Sequence, residues 1–208
     1  MEMVILTPSY LAPISYYRQL NNSPVIVEAC CNYQKQSYRN RCKIATEAGV
    51  MTLSIPIDKP SGKVLTRDVR ISSHDNWQHL HWTAIFSAYQ SSPYFEYYSD
   101  ELRPFYEPNR YKYLYDFNIE LQNTICSLLN ITPKIEYSTE YIQPQAGDTD
   151  LREKIHPKQP IFEQEKLLPY YQVFSKRHGF IPDLSILDLL FNMGPESIFL
   201  LLPTPKEI

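Results

Sequence analysis

The sequence contains little glycine, with only 5 glycines among 208 residues. Many nucleotide-binding proteins hold phosphate in glycine-rich loops, which carry the motifs G-x-G-x-x-G or G-x-x-x-x-G-K-S/T. Neither motif occurs in this chain. Any site for a phosphate-bearing ligand would therefore have to be built from cationic and polar side chains rather than from a glycine loop.

The chain also lacks a long apolar run, an excess of basic residues and a metal-binding cysteine pattern. No stretch reaches the run of about 18 apolar residues that a membrane-spanning helix needs, and the first residues do not resemble a signal peptide. The net charge of −3 gives no reason to expect nucleic acid as a partner. The four cysteines form no C-x-x-C pair, which predicts reduced thiols in a cytoplasmic protein with no metal site and no cofactor.

Apolar and turn-forming residues of the first half predict an α/β fold. Apolar segments at 3–7 and 25–31 flank a short helix that begins after Pro13, which is the pattern of a βαβ unit with parallel strands. Residues 41–46 and 50–57 lie on either side of a glycine turn and predict a β-hairpin. The sequence therefore predicts a mixed β-sheet with flanking helices.

The second half is expected to be mostly helical. Further helices are predicted at 73–92, 97–106, 111–129, 170–176 and 186–192, and further strands at 67–72 and 134–137. We expect one domain over residues 1–208, in which an α/β core (1–95) precedes a mostly helical C-terminal part (96–208). A polar loop is expected near 143–160, and loops of that length are usually functional or mobile.

The segment 33–41 is the strongest candidate for a binding site. It contains the cations Lys35, Arg39 and Arg41 together with Asn40, and it has neither an acid nor an aliphatic residue. Guanidinium and amide groups bind phosphate or carboxylate with fixed geometry. The segment therefore predicts a site for a small anionic substrate, with Asn40 orienting it, and the alternative is a solvated, positively charged turn.

His81 is the candidate for acid–base chemistry. It lies on the apolar face of its predicted helix, between Trp77 and Tyr89. The common role for such a residue is that of a buried histidine with one hydrogen-bond partner, and the alternative is a general base whose pKa suits neutral pH. The tyrosines expected to stack on a base or sugar ring are Tyr10, Tyr33, Tyr89 and Tyr94.

A second charge-dense segment spans residues 148–158. As a solvated loop it needs no further explanation. Alternatively, Arg152, Lys154 and Lys158 would close over an anion that the 33–41 segment binds. Both interpretations remain open from the sequence.

The predicted helix 186–192 carries two polar residues. Ser185 precedes it and is expected to cap it rather than to act as a nucleophile, since no G-x-S-x-G surrounds it. Asp188 lies among leucines and a phenylalanine, where a charge needs a partner or a site.

Several segments together resemble the WbqC-like protein family. They are LTPSYLAP (6–13), YQKQSYRNRC (33–42), LSIP (53–56), Trp77 with His81, AY-x-x-SPYF (88–95), YQVF (171–174), GFIP (179–182), LSILDLLFN (184–192) and GPE (194–196). Many relatives open the first motif with His-x-Pro, whereas this chain has Leu6 in that place, so no catalytic histidine is carried over. The resemblance implies a bacterial, cytoplasmic protein associated with surface-polysaccharide synthesis.

Two hypotheses about function follow. The first is a transferase or sugar-modifying enzyme of O-antigen-type polysaccharide synthesis, which binds a phosphate-bearing or nucleotide-linked substrate through the 33–41 segment and uses His81 as general base. The second is a non-catalytic binding or scaffold subunit of a glycan-assembly complex, with the tyrosine-rich surface as its interface. Under the first hypothesis Arg39 lies in an exposed loop, so we expect its loss to affect binding and not the fold.

Overall fold

The computed structural model describes residues 2–59, 62–73, 75–159 and 167–203. The strands in these ranges are β1 (Val4–Leu6), β2 (Val25–Val27), β3 (Arg41–Thr46), β4 (Gly49–Ser54), β5 (Ile135–Tyr137) and β6 (Thr149–Asp150). The α-helices are α1 (Ile14–Asn22), α2 (Trp77–Tyr89), α3 (Phe95–Leu102), α4 (Leu114–Leu128), α5 (Ser175–His178), α6 (Ile186–Met193) and α7 (Ser197–Leu201). Short 3-10 turns occupy Thr66–Asp68, Arg103–Tyr106 and Gly194–Glu196.

The main sheet is parallel and has the spatial order β5-β2-β1-β6. β1 and β2 are joined through α1, and their register places Val4 opposite Val25 and Leu6 opposite Val27. Both strands are short apolar runs without alternation, as expected for parallel strands that are covered on both faces. The predicted βαβ unit is therefore present.

The strand order reverses at β1. The chain places β2 and then β5 on one side of β1, and it returns to add β6 on the other side. Open parallel sheets hold their ligands at the carboxyl ends of the strands beside such a switch point. The residues that follow β2 and β6 at this edge are 28–31 and 151–152.

β3 and β4 form a separate antiparallel hairpin, in which Arg41 pairs with Ser54 and Thr46 with Gly49. Gly49 has a φ of 112°, which an L-residue adopts only with strain. Cys42 and Ile44 are buried, whereas Arg41 and Lys43 are half-buried on the opposite face of β3. The hairpin thus has one face in the core and one polar face.

The core is rich in aromatic side chains that also form hydrogen bonds. Trp77 packs edge-on against Phe117, with ring centroids 5.7 Å apart. Tyr16 is buried, and its hydroxyl donates to Gln122 Oε1 at 2.9 Å. Tyr10 and Tyr106 are likewise buried phenols whose hydroxyl groups bond to each other at 3.0 Å.

The structure confirms the α/β class, with parallel and antiparallel β-structure, flanking helices and a helical C-terminal part. Three local predictions are wrong. Residues 67–72 form no strand, because the chain there makes a 3-10 turn followed by isolated bridges at Arg70 and Ile71. The helix predicted at 170–176 is limited to Ser175–His178, and the predicted polar loop contains β6.

Within the described ranges, no helix combines the length and the apolar character that crossing a bilayer requires. The same ranges hold no group of three or more potential metal-ligating side chains.

Candidate functional site

Three cationic residues occupy alternate positions of the chain around the start of β3. We call Arg39, Arg41 and Lys43 the cation row. The row lies against the loop after β6: Arg39 Nη2 is 3.4 Å from Glu153 Oε1, and Lys43 Nζ donates to the carbonyl of Pro157 at 2.9 Å. The structure therefore brings the two charge-dense segments of the sequence together.

Arg39 is a buried guanidinium that its surroundings satisfy only in part. Its side chain is 2% exposed, whereas its partner Glu153 is 56% exposed. Among the described residues its other side-chain contact is a long one, from Nη2 to Cys31 Sγ at 3.6 Å, and Nε has no partner there. The expectation of an exposed Arg39 is wrong, since the loop after β6 covers it. A buried cation with spare donors is nevertheless suited to an anion.

Tyr33 lies near the same charges. Burial raises the pKa of its phenol, while the charges of Arg41 and then Arg39 act to lower it. Arg41 is half-buried, and its Nε has no partner within the described ranges. Of the residues predicted in the 33–41 segment, Tyr33, Arg39 and Arg41 are therefore grouped, whereas the side chain of Lys35 is exposed.

A cleft of about 350 Å³ opens beside Lys43, and we call it the basic cleft. Its lining residues come from α1, the hairpin, the loop after β6 and the segment before α6: Ser15, Tyr38, Lys43, Val50, Lys154, Ile155, His156, Gln159, Ile181, Pro182, Asp183 and Leu184. Two lysines and a histidine thus face a space large enough for a small molecule.

His156 is the histidine of this cleft, and its environment favours the neutral form. Burial lowers its pKa, and the positive charges of Lys158, Arg39 and Lys43 lower it further, against the opposing effect of Glu153. His156 Nδ1 accepts from the backbone N–H of Lys158 at 3.2 Å, so the neutral ring carries its proton on Nε2 and offers a hydrogen-bond donor to a ligand.

Asp183 is the acid of the basic cleft, and it also caps α1. Its carboxylate accepts hydrogen bonds from the backbone N–H and the hydroxyl of Ser15, at 2.8 and 2.9 Å. These bonds supply the N-terminal cap that Pro13 cannot provide. Burial raises the pKa of Asp183, and the bonds to Ser15 partly offset this effect.

His81 lies in the aromatic core rather than in the basic cleft. Its side chain is 5% exposed, its Nδ1 accepts from the Tyr10 hydroxyl at 2.9 Å, and it donates to the backbone carbonyl of Ser54. Burial lowers the pKa of His81 to about 4. Because both ring nitrogens already have partners, this placement favours a hydrogen-bonded core histidine over a general base. Tyr10 is also buried, and it bonds to Tyr106 at 3.0 Å.

Two further tyrosines predicted to stack on a ligand pack against α6 instead. Tyr89 is 1% exposed and contacts the ring of Phe191. Tyr94 covers Gly194 so closely that a Cβ at Gly194 would lie 2.5 Å from the tyrosine ring. These contacts give Tyr89 and Tyr94 a role in packing.

Asn40 and Arg152 use their polar groups within the protein. Asn40 Nδ2 donates to the carbonyl of Ile55 at 2.7 Å, which ties the start of β3 to the end of β4. Arg152 makes a bidentate pair with Asp150 at 3.0 and 2.7 Å and donates to Glu28 Oε2 at 2.9 Å. Arg152 is therefore a structural ion-pair partner in this structure. Of the basic residues predicted at 148–158, Lys154 lines the basic cleft, whereas Arg152 does not.

Sequence patterns missed four residues of the basic cleft, namely Tyr38, Lys43, His156 and Asp183. Lys43 could have been found, since it continues the two-residue spacing of Arg39 and Arg41 along a predicted strand. His156 lies in the charge-dense segment that was singled out. Asp183 has no local signal, because its partner Ser15 is 168 positions away.

Comparisons with known proteins identify the family of the chain. The model of the WbqC-like protein family matches residues 7–159, which include the cation row and most of the basic cleft. The chain belongs to the WbqC-like protein family. A relative named Uncharacterized protein Rv1507c, from Mycobacterium tuberculosis (strain ATCC 25618 / H37Rv), is 28% identical over 192 residues, covering 79% of this chain and 81% of the relative. No solved structure shows a significant match.

Proposed function

We propose that this WbqC-like protein binds the phosphate of a nucleotide-linked sugar, or of a similar small molecule, at the cation row and the basic cleft. We further propose that it acts as a transferase or sugar-modifying enzyme in bacterial surface-polysaccharide biosynthesis. The family name supports the biosynthetic context. The charge arrangement supports the class of ligand.

One observation carries the proposal. Among the described residues, only Arg39 of the cation row has a carboxylate within 4.0 Å, and that contact is long. Three positive charges, of which only Arg39 has an ion-pair partner among the described residues, stand out on a chain whose net charge is −3, although Asp183 shares the basic cleft with Lys43. Such a local excess attracts anions, and partly buried cations bind phosphate more strongly than exposed ones.

The same groups suit the transfer of a phosphate-linked group. Lys43 and Lys154 would hold the phosphate and stabilise the negative charge that develops on it. His156 would donate a hydrogen bond from Nε2–H to a phosphate oxygen, since its environment keeps it neutral and its Nδ1 accepts from Lys158. The sugar would lie against Tyr38 and Ile181, the aromatic and aliphatic walls of the cleft.

We expect Lys43→Gln to weaken binding of a nucleotide-linked sugar about 10- to 100-fold, because it removes one charge-assisted hydrogen bond. The fold should persist, since Lys43 is half-buried and glutamine can still donate to Pro157. The measurement is a set of melting curves with increasing concentrations of nucleotide-linked sugars, in which binding to the native state raises the melting temperature.

Lys134→Gln is the matched control. Lys134 is exposed and precedes β5, at the amino edge of the main sheet and away from the cation row. Its ligand-dependent shift should equal that of the wild type. Equal shifts for Lys43→Gln and the wild type would place the phosphate elsewhere, and no shift with any phosphate-bearing ligand would contradict the proposal as a whole.

A scaffold subunit is the second candidate, favoured by an exposed apolar face on α2 and β4. Leu80 is 63% exposed and Met51 is 41% exposed, and both line a groove of about 580 Å³ with Phe174. Exposed apolar patches often mark protein interfaces. A scaffold without a ligand site would show no ligand-dependent shift in the wild type.

A further inference from the structure

Cys31 differs from the other three cysteines in its exposure. Cys30, Cys42 and Cys126 are buried, whereas Cys31 is partly exposed, and all four are free thiols. Burial raises the pKa of Cys30, Cys42 and Cys126, with a value of about 12 for Cys126. The reactive form of a thiol is the thiolate, so these three are poor nucleophiles at neutral pH.

The Cys31 thiol is held in a fixed position beside the buried guanidinium of Arg39. Arg39 Nη2 is 3.6 Å from its Sγ, and the hydroxyl of Thr66 is 3.5 Å from the same sulfur. The backbone is fixed as well, since the carbonyl of Cys31 accepts from the N–H and the hydroxyl of Thr66 at 2.9 and 3.1 Å. The guanidinium is placed to stabilise the negative charge that passes between the sulfurs during thiol–disulfide exchange.

Arg39 supplies the second observation, which points to an anionic reactant. Its side chain is 98% buried, its Nε has no partner among the described residues, and its carboxylate partner Glu153 is mostly exposed. The charge next to the sulfur is therefore incompletely balanced. The charges of Arg41 and Arg39 both act on the phenol of Tyr33, so Arg41 adds a second positive charge in the neighbourhood of Arg39.

We propose that Cys31 is a modification site, at which its thiolate exchanges with small anionic disulfides to form a mixed disulfide. The Cys31 sulfur attacks one sulfur of the reagent, the S–S bond of the reagent breaks, and its other half leaves as a thiolate. One disulfide bond forms and one is lost, so no further oxidant is required. Arg39 draws the anionic reagent to the sulfur and stabilises the charge.

The test measures the rate at which Cys31 is modified by disulfides of different charge. We expect the dianion 5,5′-dithiobis(2-nitrobenzoate) to modify native protein at Cys31 at least tenfold faster than the cationic disulfide cystamine, after division by the rates of each with free cysteine. Intact-mass and peptide-mass measurements locate the adduct. Cys31→Ser should abolish the fast phase, while Cys30→Ser should retain it.

Two charge variants test the cause. Glu153→Gln removes the carboxylate that competes for Arg39, and because Glu153 is 56% exposed the protein should fold normally. The rate at which the dianion modifies Cys31 should be at least about threefold higher in this variant than in the wild type. The rate with cystamine should not increase. Arg67→Gln is the matched control: Arg67 Nη1 contacts Cys30 Sγ at 3.3 Å, so its loss should leave the Cys31 rate unchanged.

Modification of Cys30, Cys42 or Cys126 in preference to Cys31 would overturn the proposal. An equal normalised rate with both reagents, or no effect of Glu153→Gln, would also overturn it. The inference shares only Arg39 and Arg41 with the proposed function, and it needs no bound substrate. Fast Cys31 modification without any response to nucleotide-linked sugars would therefore contradict the proposed function alone.

Discussion

Replacement of Arg152 by leucine is expected to lower the free energy of unfolding by about 3–5 kcal/mol. Arg152 is 6% exposed, and it donates to the carboxylate of Glu28, which is fully buried. In the variant the Glu28 charge would stay buried with the backbone N–H of Cys30 as its remaining partner in the described structure. The measurement is chemical denaturation at pH 7.

Two comparisons separate this effect from a general loss of charge. Arg177→Leu removes an exposed ion pair with Glu47, and it should change stability by about 1 kcal/mol or less. The double variant Glu28→Gln/Arg152→Met removes both buried charges and should recover most of the loss. A small effect of Arg152→Leu alone would show that Arg152 is free for another task, such as binding the anionic ligand.

The stability that Asp188 contributes is expected to fall by about 3 kcal/mol between pH 4 and pH 7. Burial raises the pKa of this carboxyl from 3.8 to about 6, against the hydrogen bonds from Tyr170 and Gln172. The folded state therefore holds the proton more tightly than the unfolded state. The stabilisation from Asp188 is complete below about pH 4 and is lost as the pH rises through 6. Each unit of difference between the folded and the unfolded pKa corresponds to about 1.4 kcal/mol of unfolding free energy.

Asp188→Asn is the variant that isolates this group, because asparagine stays neutral at every pH. The difference in unfolding free energy, wild type minus variant, should decrease by about 3 kcal/mol from pH 4 to pH 7. His81 acts in the opposite sense and cancels in the difference: its lowered pKa costs stability as the pH falls from 6.5 through 4. A difference that stays constant with pH would mean that Asp188 ionises normally.

Asp188 also links stability to the basic cleft. Gln172 donates to Asp188 Oδ2 at 2.8 Å, and its amide makes two hydrogen bonds of 2.9 Å with the backbone of Ile181. Ile181 forms a wall of the basic cleft beside Asp183. The buried carboxylate thus helps to position the segment that closes one side of the cleft.

Local patterns in the sequence were sufficient for much of the fold. The apolar runs before and after Pro13, and the glycine between β3 and β4, carry their structural information in adjacent residues. Residues 149–150 could not be recognised as a strand, since two residues without an apolar pattern become β6 only by pairing with β1. The alternation at 67–72 predicted a full strand, whereas the segment begins in a 3-10 turn and pairs with its neighbours only through isolated bridges to Ile57 and Tyr113.

The candidate site was predictable in composition but not in arrangement. The cations of the 33–41 segment are apparent from the sequence, whereas the burial of Arg39 depends on Glu153, which is 114 positions away. His81 has the pattern of an inward-facing helical residue, and the sequence does not show that Tyr10 and Ser54 occupy its nitrogens. Long-range partners therefore decided which polar residues are structural and which face the basic cleft.

A crystal structure of the protein with a nucleotide-linked sugar, selected from the melting curves, tests the central claim most directly. The account predicts that phosphate oxygens lie about 2.7–2.9 Å from Lys43 Nζ, in the basic cleft beside Lys154 and His156. A phosphate held by residues outside both the cation row and the basic cleft would contradict it.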